Sequence, residues 1–82
     1  ALALAQFAYD ANNYAQADRY YQLYLRNIGK ETQAPQALLL GIRLAKQKKD
    51  QDKAASYELL LRKFYPQSIE YQQYLKEFET GA

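Results

Sequence analysis

Histidine and cysteine are both absent from the 82 residues of this chain. Without histidine, the chain lacks the side chain that most often serves as a general base near neutral pH and as a zinc ligand. Without cysteine, it can form no disulfide, thiolate nucleophile or cysteine-bound metal site. Its serines and threonines have no histidine to activate them, and no glycine-rich phosphate loop is present. The sequence therefore predicts a protein that is not an enzyme and uses no cofactor or metal.

The residues that a β-fold needs for its strands and turns are also scarce. Three glycines and two prolines are too few to turn the corners of a sandwich or barrel. Valine is absent, whereas leucine, alanine, glutamine and lysine are abundant, and this balance favours helices over strands. No apolar run approaches the roughly 20 residues of a membrane span. The chain is long enough for one small domain with a thin core. The residues from Ala1 onward have the pattern of the middle of a helix, so we expect a piece of a longer protein.

Five segments show apolar residues at helical spacing. We predict helices over about residues 1–11, 14–28, 33–48 and 68–79, and a fourth helix that starts near Asp50 or Asp52 and ends before Pro66. Gly29 is placed to end the second helix in a left-handed conformation. Thr32 is predicted to cap the third helix, with Pro35 in its first turn. The third helix is apolar around most of its circumference and is predicted to be the most enclosed.

The first two helices resemble the next two. Leu4-Ala5 matches Leu40-Gly41 and Ala17 matches Ala54, at offsets of 36 and 37 residues, close to the roughly 34-residue period of tetratricopeptide repeats. In such a repeat, two small residues let paired helices approach closely. The sequence predicts an all-α tetratricopeptide-repeat solenoid of antiparallel hairpins in a single domain: repeat one over 1–29, repeat two over 33–65 and a C-terminal capping helix over 67–79. Either Lys53 or Ala54 fills the small position of repeat two.

The second half carries a more specific resemblance. Its residues are Leu39-Leu40-Gly41-Ile42-Arg43-Leu44, then Asp50-Gln51-Asp52-Lys53-Ala54-Ala55-Ser56-Tyr57, then Leu61-Arg62-Lys63-Phe64, Pro66-Gln67-Ser68 and Glu70-Tyr71. They resemble the C-terminal end of the type IV pilus biogenesis lipoprotein family, called PilW or PilF. Upstream, Leu2–Tyr9 and Ala17–Tyr21 also fit that family.

This resemblance implies a pilotin, a non-catalytic scaffold that assists assembly of the pilus secretin in the outer membrane. It implies the secretin as the protein partner and the periplasmic face of the bacterial outer membrane as the location. The lipid anchor of the family would lie outside this chain.

The first helix of each hairpin lines the concave groove in a tetratricopeptide stack. On that register the protein-binding groove comprises Leu2, Gln6, Tyr9, Asp10, Leu38, Ile42, Ala45 and Lys46. An apolar strip edged by charge suits a bound peptide or helix. In the alternative interpretation, Leu38 and Ile42 pack against the next helix.

Nine tyrosines are present, and eight of them divide into two predicted groups. Those on the apolar helix stripes are predicted to pack in the core: Tyr14, Tyr21, Tyr24 and Tyr57. The candidates for exposure are Tyr9, Tyr20, Tyr65 and Tyr74.

Two further functions are compatible with the sequence. The chain could be a self-associating or capping module with no ligand site, forming a homodimer through an N-terminal face that includes Leu2, Leu4 and Phe7. A basic cluster at the third turn could bind anionic lipid or nucleic acid; its members are Arg43, Lys46, Lys48, Lys49 and Lys53. Because Asp50 and Asp52 interrupt the cluster and the net charge is only +2, a solvated turn is favoured over nucleic-acid binding.

Overall fold

The computed structural model describes residues 2–79, and these residues form helices and turns without a strand. The helices are α1 (Leu2–Asp10), α2 (Tyr14–Ile28), α3 (Pro35–Gln47), α4 (Gln51–Phe64) and α5 (Ile69–Tyr74). A π-helical segment, Leu75–Glu79, continues α5. The predicted all-α class and the five predicted helices are confirmed, although the last predicted helix changes its winding after Tyr74.

Helix α3 lies at the centre of the fold. It packs closely against α4, its hairpin partner, and also contacts α1, α2 and α5. Eight of its 13 residues are buried, which confirms the prediction that it is the most enclosed helix. Helices α1 and α2 form the other hairpin. The result is two stacked antiparallel hairpins closed by α5, as expected for a short tetratricopeptide-type solenoid.

The two hairpin turns have the same backbone structure, 37 residues apart. Asn12 and Lys49 both have positive φ, at 63° and 60°. The Asn13 N–H donates to the Ala8 carbonyl at 2.8 Å, and the Asp50 N–H donates to the Ala45 carbonyl at 2.9 Å. The side chains of Asn13 and Asp50 then cap α2 and α4.

This common turn fixes the register of the two repeats. Asp50 corresponds to Asn13, so Ala54 rather than Lys53 corresponds to Ala17. Ala17 and Ala54 are both buried, as small residues at a close helix contact should be. At the same offset Gly41 corresponds to Leu4, so the offset of 36 predicted for the first helices is wrong by one residue.

The connector between the hairpins is held by tyrosines from two helices. The prediction that Thr32 caps α3 is wrong, because Ala34 is the N-cap residue and its side chain makes no capping bond. Instead, the Ala34 N–H donates to the Tyr24 hydroxyl at 3.2 Å. The Tyr65 hydroxyl donates to the Gln33 carbonyl at 2.9 Å. Hydroxyl groups from α2 and from the end of α4 therefore satisfy the backbone polar groups at the start of α3 that a local capping side chain would otherwise satisfy.

Gly29 ends α2, as predicted. Its φ is 61° and its N–H donates to the Leu25 carbonyl. Its ψ of −117° lies outside the left-handed helical region, so the predicted left-handed conformation of Gly29 is confirmed for φ but wrong for ψ. The combination matches the first central position of a type II′ turn, which glycine adopts without steric cost.

Tyrosine rings fill the contact between the hairpins. Tyr21 is 2% exposed, and its ring meets the Tyr57 ring edge-on at 6.0 Å between centroids. Tyr21 and Tyr57 therefore lie in the core as predicted, whereas Tyr14 and Tyr24 are half-buried. Tyr74 is 6% exposed, so its predicted exposure is wrong: the capping helix turns its ring inward. The other exposure candidates, Tyr9, Tyr20 and Tyr65, are half-buried.

Candidate functional site: the face of the first helices

Three of the eight predicted groove residues are not open to a partner. Leu38 and Ile42 are fully buried and Ala45 is 3% exposed, and α3, which carries all three, packs against α4 and α5. A side chain without exposed surface cannot contact a ligand, so the groove assignment of these three residues is wrong. The alternative interpretation, in which Leu38 and Ile42 pack inside the repeat stack, agrees with the structure.

The remaining groove residues do reach the surface. Leu2, Gln6 and Tyr9 are half-buried, and Asp10 and Lys46 are exposed. Gln6 donates to the Asp10 carboxylate at 2.9 Å, one turn along α1. The part of α1 that carries Gln6, Tyr9 and Asp10 is therefore polar apart from the Tyr9 ring.

The ion pair that organises this side of the fold was not predicted from the sequence. The Arg43 guanidinium on α3 donates to the Glu77 carboxylate in the π-helical segment, from Nη2 to Oε1 at 2.9 Å and from Nε to Oε2 at 3.3 Å. The Arg43 side chain is only 22% exposed. Two parallel bonds from one guanidinium fix the orientation of the partner as well as its distance. The signal available in the sequence was Arg43 and Gln47 one helical turn apart, next to the residues assigned to the groove.

Tyr9 lies against this ion pair. Burial raises the pKa of the Tyr9 hydroxyl above its usual value, the nearby Arg43 lowers it, and Glu77 raises it. The Gln47 side chain also lies near the Tyr9 hydroxyl and lowers its pKa. Tyr9 on α1, Arg43 and Gln47 on α3 and Glu77 beyond α5 are thus brought together from three segments of the chain.

The π-helical segment adds one more contact to the same face. The Lys46 ammonium lies 4.8 Å from the centroid of the Phe78 ring, a cation–π geometry. Phe78 also packs on Tyr74, with ring centroids 5.6 Å apart. We name the assembled face the Arg43 surface; it consists of Gln6, Tyr9, Asp10, Arg43, Lys46, Gln47, Glu77 and Phe78.

The predicted basic cluster does not form one patch. Arg43 faces Glu77 on one side, whereas Lys48 pairs with the Asp18 carboxylate of α2 at 2.7 Å. Lys46 lies over an aromatic ring. Pairing of these charges with groups on different helices weakens the field that a polyanion would require.

A second exposed feature is apolar and lies at the N-terminal end of the stack. Phe7 is 73% exposed and Leu4 is 49% exposed. Leu2, the third residue predicted for this face, is half-buried. Contiguous exposed apolar side chains commonly mark a contact surface.

No group of three or more histidine, cysteine, aspartate or glutamate side chains suited to a metal ion occurs within residues 2–79. Nor does any helix in that range combine the length and apolar character needed to cross a bilayer. The paired and stacked helices define the class of fold: a tetratricopeptide-type helical repeat.

Comparison with known proteins identifies the relatives of this repeat. No family model matches the chain. The chain is 46% identical over 77 residues to the type IV pilus assembly protein PilF of Pseudomonas aeruginosa, covering 94% of this chain and 29% of that protein. A solved structure of Pseudomonas aeruginosa PilF matches with a TM-score of 0.84 and 43% identity, covering 93% of this chain and 33% of that one. The resemblance to the PilF family is therefore confirmed, for a chain that spans about 29% of its relative's length.

Proposed function

We propose that this chain serves type IV pilus assembly as a non-catalytic scaffold that holds another protein. The observation that carries the proposal is its 46% identity to PilF, named as a type IV pilus assembly protein, over 94% of this chain. The helical-repeat fold supports the proposal, because stacked hairpins present extended surfaces and no deep catalytic pocket. The absence of histidine and cysteine from the sequence also supports a non-catalytic role.

The partner in this proposal is the pilus secretin, and the contact is the Arg43 surface. That surface combines exposed charges of both signs, at Asp10, Lys46 and Glu77, with the rings of Tyr9 and Phe78. Aromatic residues and arginine are enriched where protein interfaces bind most strongly. The scaffold acts at the periplasmic face of the outer membrane as a pilotin, held there by a lipid anchor outside this chain.

A binding titration against the secretin's periplasmic and pore domains tests this function. This chain and a longer protein that includes these repeats are titrated in parallel. Binding by both places recognition on these repeats; binding by the longer protein alone would assign the contact to other repeats and leave this chain a structural role.

A matched pair of variants locates the contact. Lys46 and Arg26 are exposed cations in the last turns of α3 and α2, but only Lys46 belongs to the Arg43 surface. Lys46→Glu should weaken binding at least tenfold, and Arg26→Glu should leave it within twofold. Equal losses from both variants would contradict recognition through this surface.

Self-association is the second candidate function, favoured by the 73% exposure of Phe7. A homodimer through the N-terminal face would bury this ring. Sedimentation equilibrium over a hundredfold range of concentration distinguishes the two states, and a monomer throughout would exclude the dimer.

A further inference from the structure

An open depression lies between the start of α2 and the end of α3, beside the two hairpin turns. The residues that line it are Tyr14, Ala15, Asp18, Arg19, Leu44, Gln47 and Lys48. Its volume is about 440 Å³, which falls within the range of roughly 300–1,000 Å³ typical of ligand pockets and is ample for one large side chain of a partner. We name it the Arg19 depression.

The inner part of the depression is apolar and held in place. Leu44 is 3% exposed, so it contributes the floor, whereas Ala15 is exposed. The Tyr14 ring packs on the Tyr9 ring with centroids 5.3 Å apart. Its hydroxyl donates to the Asn12 side-chain oxygen at 3.0 Å. An apolar side chain that enters therefore meets a ring that is already ordered, which lowers the entropy cost of binding.

The outer part of the depression carries an excess of one positive charge. The Asp18 carboxylate accepts from the Lys48 ammonium at 2.7 Å, so these two charges offset each other. Arg19 is exposed, and its guanidinium forms no ion pair within residues 2–79. A guanidinium binds a carboxylate through two parallel hydrogen bonds. The ligand that complements this site combines an apolar side chain with a neighbouring carboxylate.

This charge arrangement is not a general feature of the fold. By the 37-residue offset of the hairpin turns, Ser56 of α4 corresponds to Arg19 of α2. The depression between α4 and the capping helix is lined by Lys46 and Glu58, whose charges offset each other. An apolar site with an unpaired cation therefore belongs to the contact of α2 with α3.

We propose that the Arg19 depression binds a peptide segment of a partner protein through one large apolar side chain followed directly by a carboxylate. The apolar side chain packs on Tyr14, Ala15 and Leu44, and the carboxylate accepts from the Arg19 guanidinium. The depression adjoins the Arg43 surface at Gln47, but its ligand is defined by this chemistry and does not depend on the secretin.

Capped dipeptides test the proposal on the whole 82-residue chain. The probe is acetyl-Phe-Asp-amide. Acetyl-Phe-Asn-amide removes the negative charge at nearly equal size, and acetyl-Ala-Asp-amide removes the large apolar side chain. Each is titrated into the isotope-labelled chain at low ionic strength, and binding is followed through the amide chemical shifts in NMR spectra.

We expect saturable shift changes for Phe-Asp at residues that line the depression. The Phe-Asn dipeptide should bind at least about threefold more weakly, as the loss of one exposed ion pair predicts, and the Ala-Asp dipeptide should not reach saturation. Arg19→Gln should make the two Phe dipeptides bind equally. Arg26→Gln, at an exposed cation of the same helix, should preserve the difference between them.

A second pair of variants tests the apolar part of the site. Ala15→Leu fills the depression and should abolish binding of Phe-Asp. Ala3→Leu makes the same change at an exposed alanine of α1 and should leave binding within about twofold, because Ala3 does not line the depression. Circular dichroism checks that both variants keep the helix content of the unchanged chain.

Four outcomes would overturn the proposal. Absence of saturable binding by Phe-Asp would show that the depression takes no such ligand. Equal binding of Phe-Asp and Phe-Asn to the unchanged chain would contradict the role of Arg19. Saturable binding of Ala-Asp would reveal a simple anion site. Binding that survives Ala15→Leu, or shift changes confined to other helices, would place the contact elsewhere.

Discussion

The Tyr21 ring of α2 occupies the space that Gly41 leaves open on α3. The atoms nearest to an added Cβ at residue 41 belong to Tyr21 and Tyr57, with Tyr57 Cδ2 at 2.9 Å. Both rings are buried and meet edge-on. The glycine in mid-helix therefore accommodates an aromatic pair from two different helices.

Gly41→Ala should destabilise the fold. Alanine stabilises a helix interior by about 1 kcal/mol relative to glycine, but an added methyl group in a packed core costs typically 1–3 kcal/mol. Since the rings on both sides are buried, we expect the packing cost to exceed the helix gain, for a net loss of about 1 kcal/mol. Urea unfolding followed by circular dichroism measures the difference.

The same contact predicts coupling between Gly41 and Tyr21. Tyr21→Phe removes the hydroxyl that lies closest to the added Cβ, together with its bond to Gln33 Oε1 at 2.6 Å. Gly41→Ala should therefore cost less in the Tyr21→Phe background, with an interaction energy of at least about 0.5 kcal/mol in a double-mutant cycle. Additive effects would mean that the ring moves away without cost.

Substitution of the capping residues should distinguish the caps seen in the structure, Asp50 and Ser68, from the cap predicted at Thr32. The Asp50 carboxylate accepts from the Lys53 N–H at 3.1 Å, and Ser68 Oγ accepts from the Tyr71 N–H at 3.0 Å. Asp50→Ala and Ser68→Ala should each lower the free energy of unfolding by about 1 kcal/mol. Thr32→Ala is the control and should change it by less than about 0.5 kcal/mol, because Thr32 caps nothing. A loss at Thr32 equal to that at Asp50 would contradict the structure.

The Arg43–Glu77 pair should hold the capping segment with modest energy. Both side chains are partly exposed, at 22% and 39%, so water screens their attraction. A double-mutant cycle with Arg43→Ala and Glu77→Ala should give a coupling of about 0.5–1 kcal/mol that declines in 1 M salt. Hydrogen exchange in α5 should accelerate in either single variant. A coupling near zero would show that the hydrophobic contacts of α5 suffice.

Buried tyrosines predict loss of stability at high pH. Burial raises the pKa of the Tyr21 hydroxyl well above its usual value, and Tyr57 raises it further; burial and Glu79 raise the pKa of Tyr74 to about 12. Because an unfolded tyrosine titrates near 10, the unfolded chain releases these protons first, and stability falls above about pH 10.

Urea titrations at several pH values measure this effect. The free energy of unfolding should be constant from about pH 7 to pH 9 and then fall. Tyr21→Phe should remove up to about 1.4 kcal/mol per pH unit from that slope. Tyr65→Phe removes another hydroxyl bonded to Gln33 and controls for the loss of a hydrogen bond. An unchanged slope in Tyr21→Phe would assign the alkaline loss to other groups.

Local chemistry made the helices and most of their ends predictable. The helix ends predicted on either side of Asn12-Asn13, near Asp50, at Ser68 and at Gly29 depend on residues within one turn of each boundary, and all four appear in the structure. The Thr32 cap failed because its competitor, the Tyr24 hydroxyl, comes from another helix. Propensity and spacing carry no information about such a long-range partner.

The site was only partly predictable for a similar reason. The predicted groove lay on α1 and α3, but three of its four α3 residues came from the apolar side of that helix, and Ile42 among them is one position away from Arg43. An apolar stripe on a helix marks a buried face equally well whether a partner protein or another helix of the same chain covers it. Helix α5 packs on α3, so these residues form core.

By itself, the sequence determined the all-α class, the helical hairpins, their capping residues and the relationship to the PilF repeats, because periodicity, local hydrogen bonding and residue identity are properties of short segments. Only the tertiary structure decided which faces remain open. It joined Tyr9, Arg43 and Glu77 into one surface, turned Tyr74 inward and left Phe7 exposed. Those outcomes depend on where the helices pack and on the winding of the chain after Tyr74, and neither is encoded within a single helix.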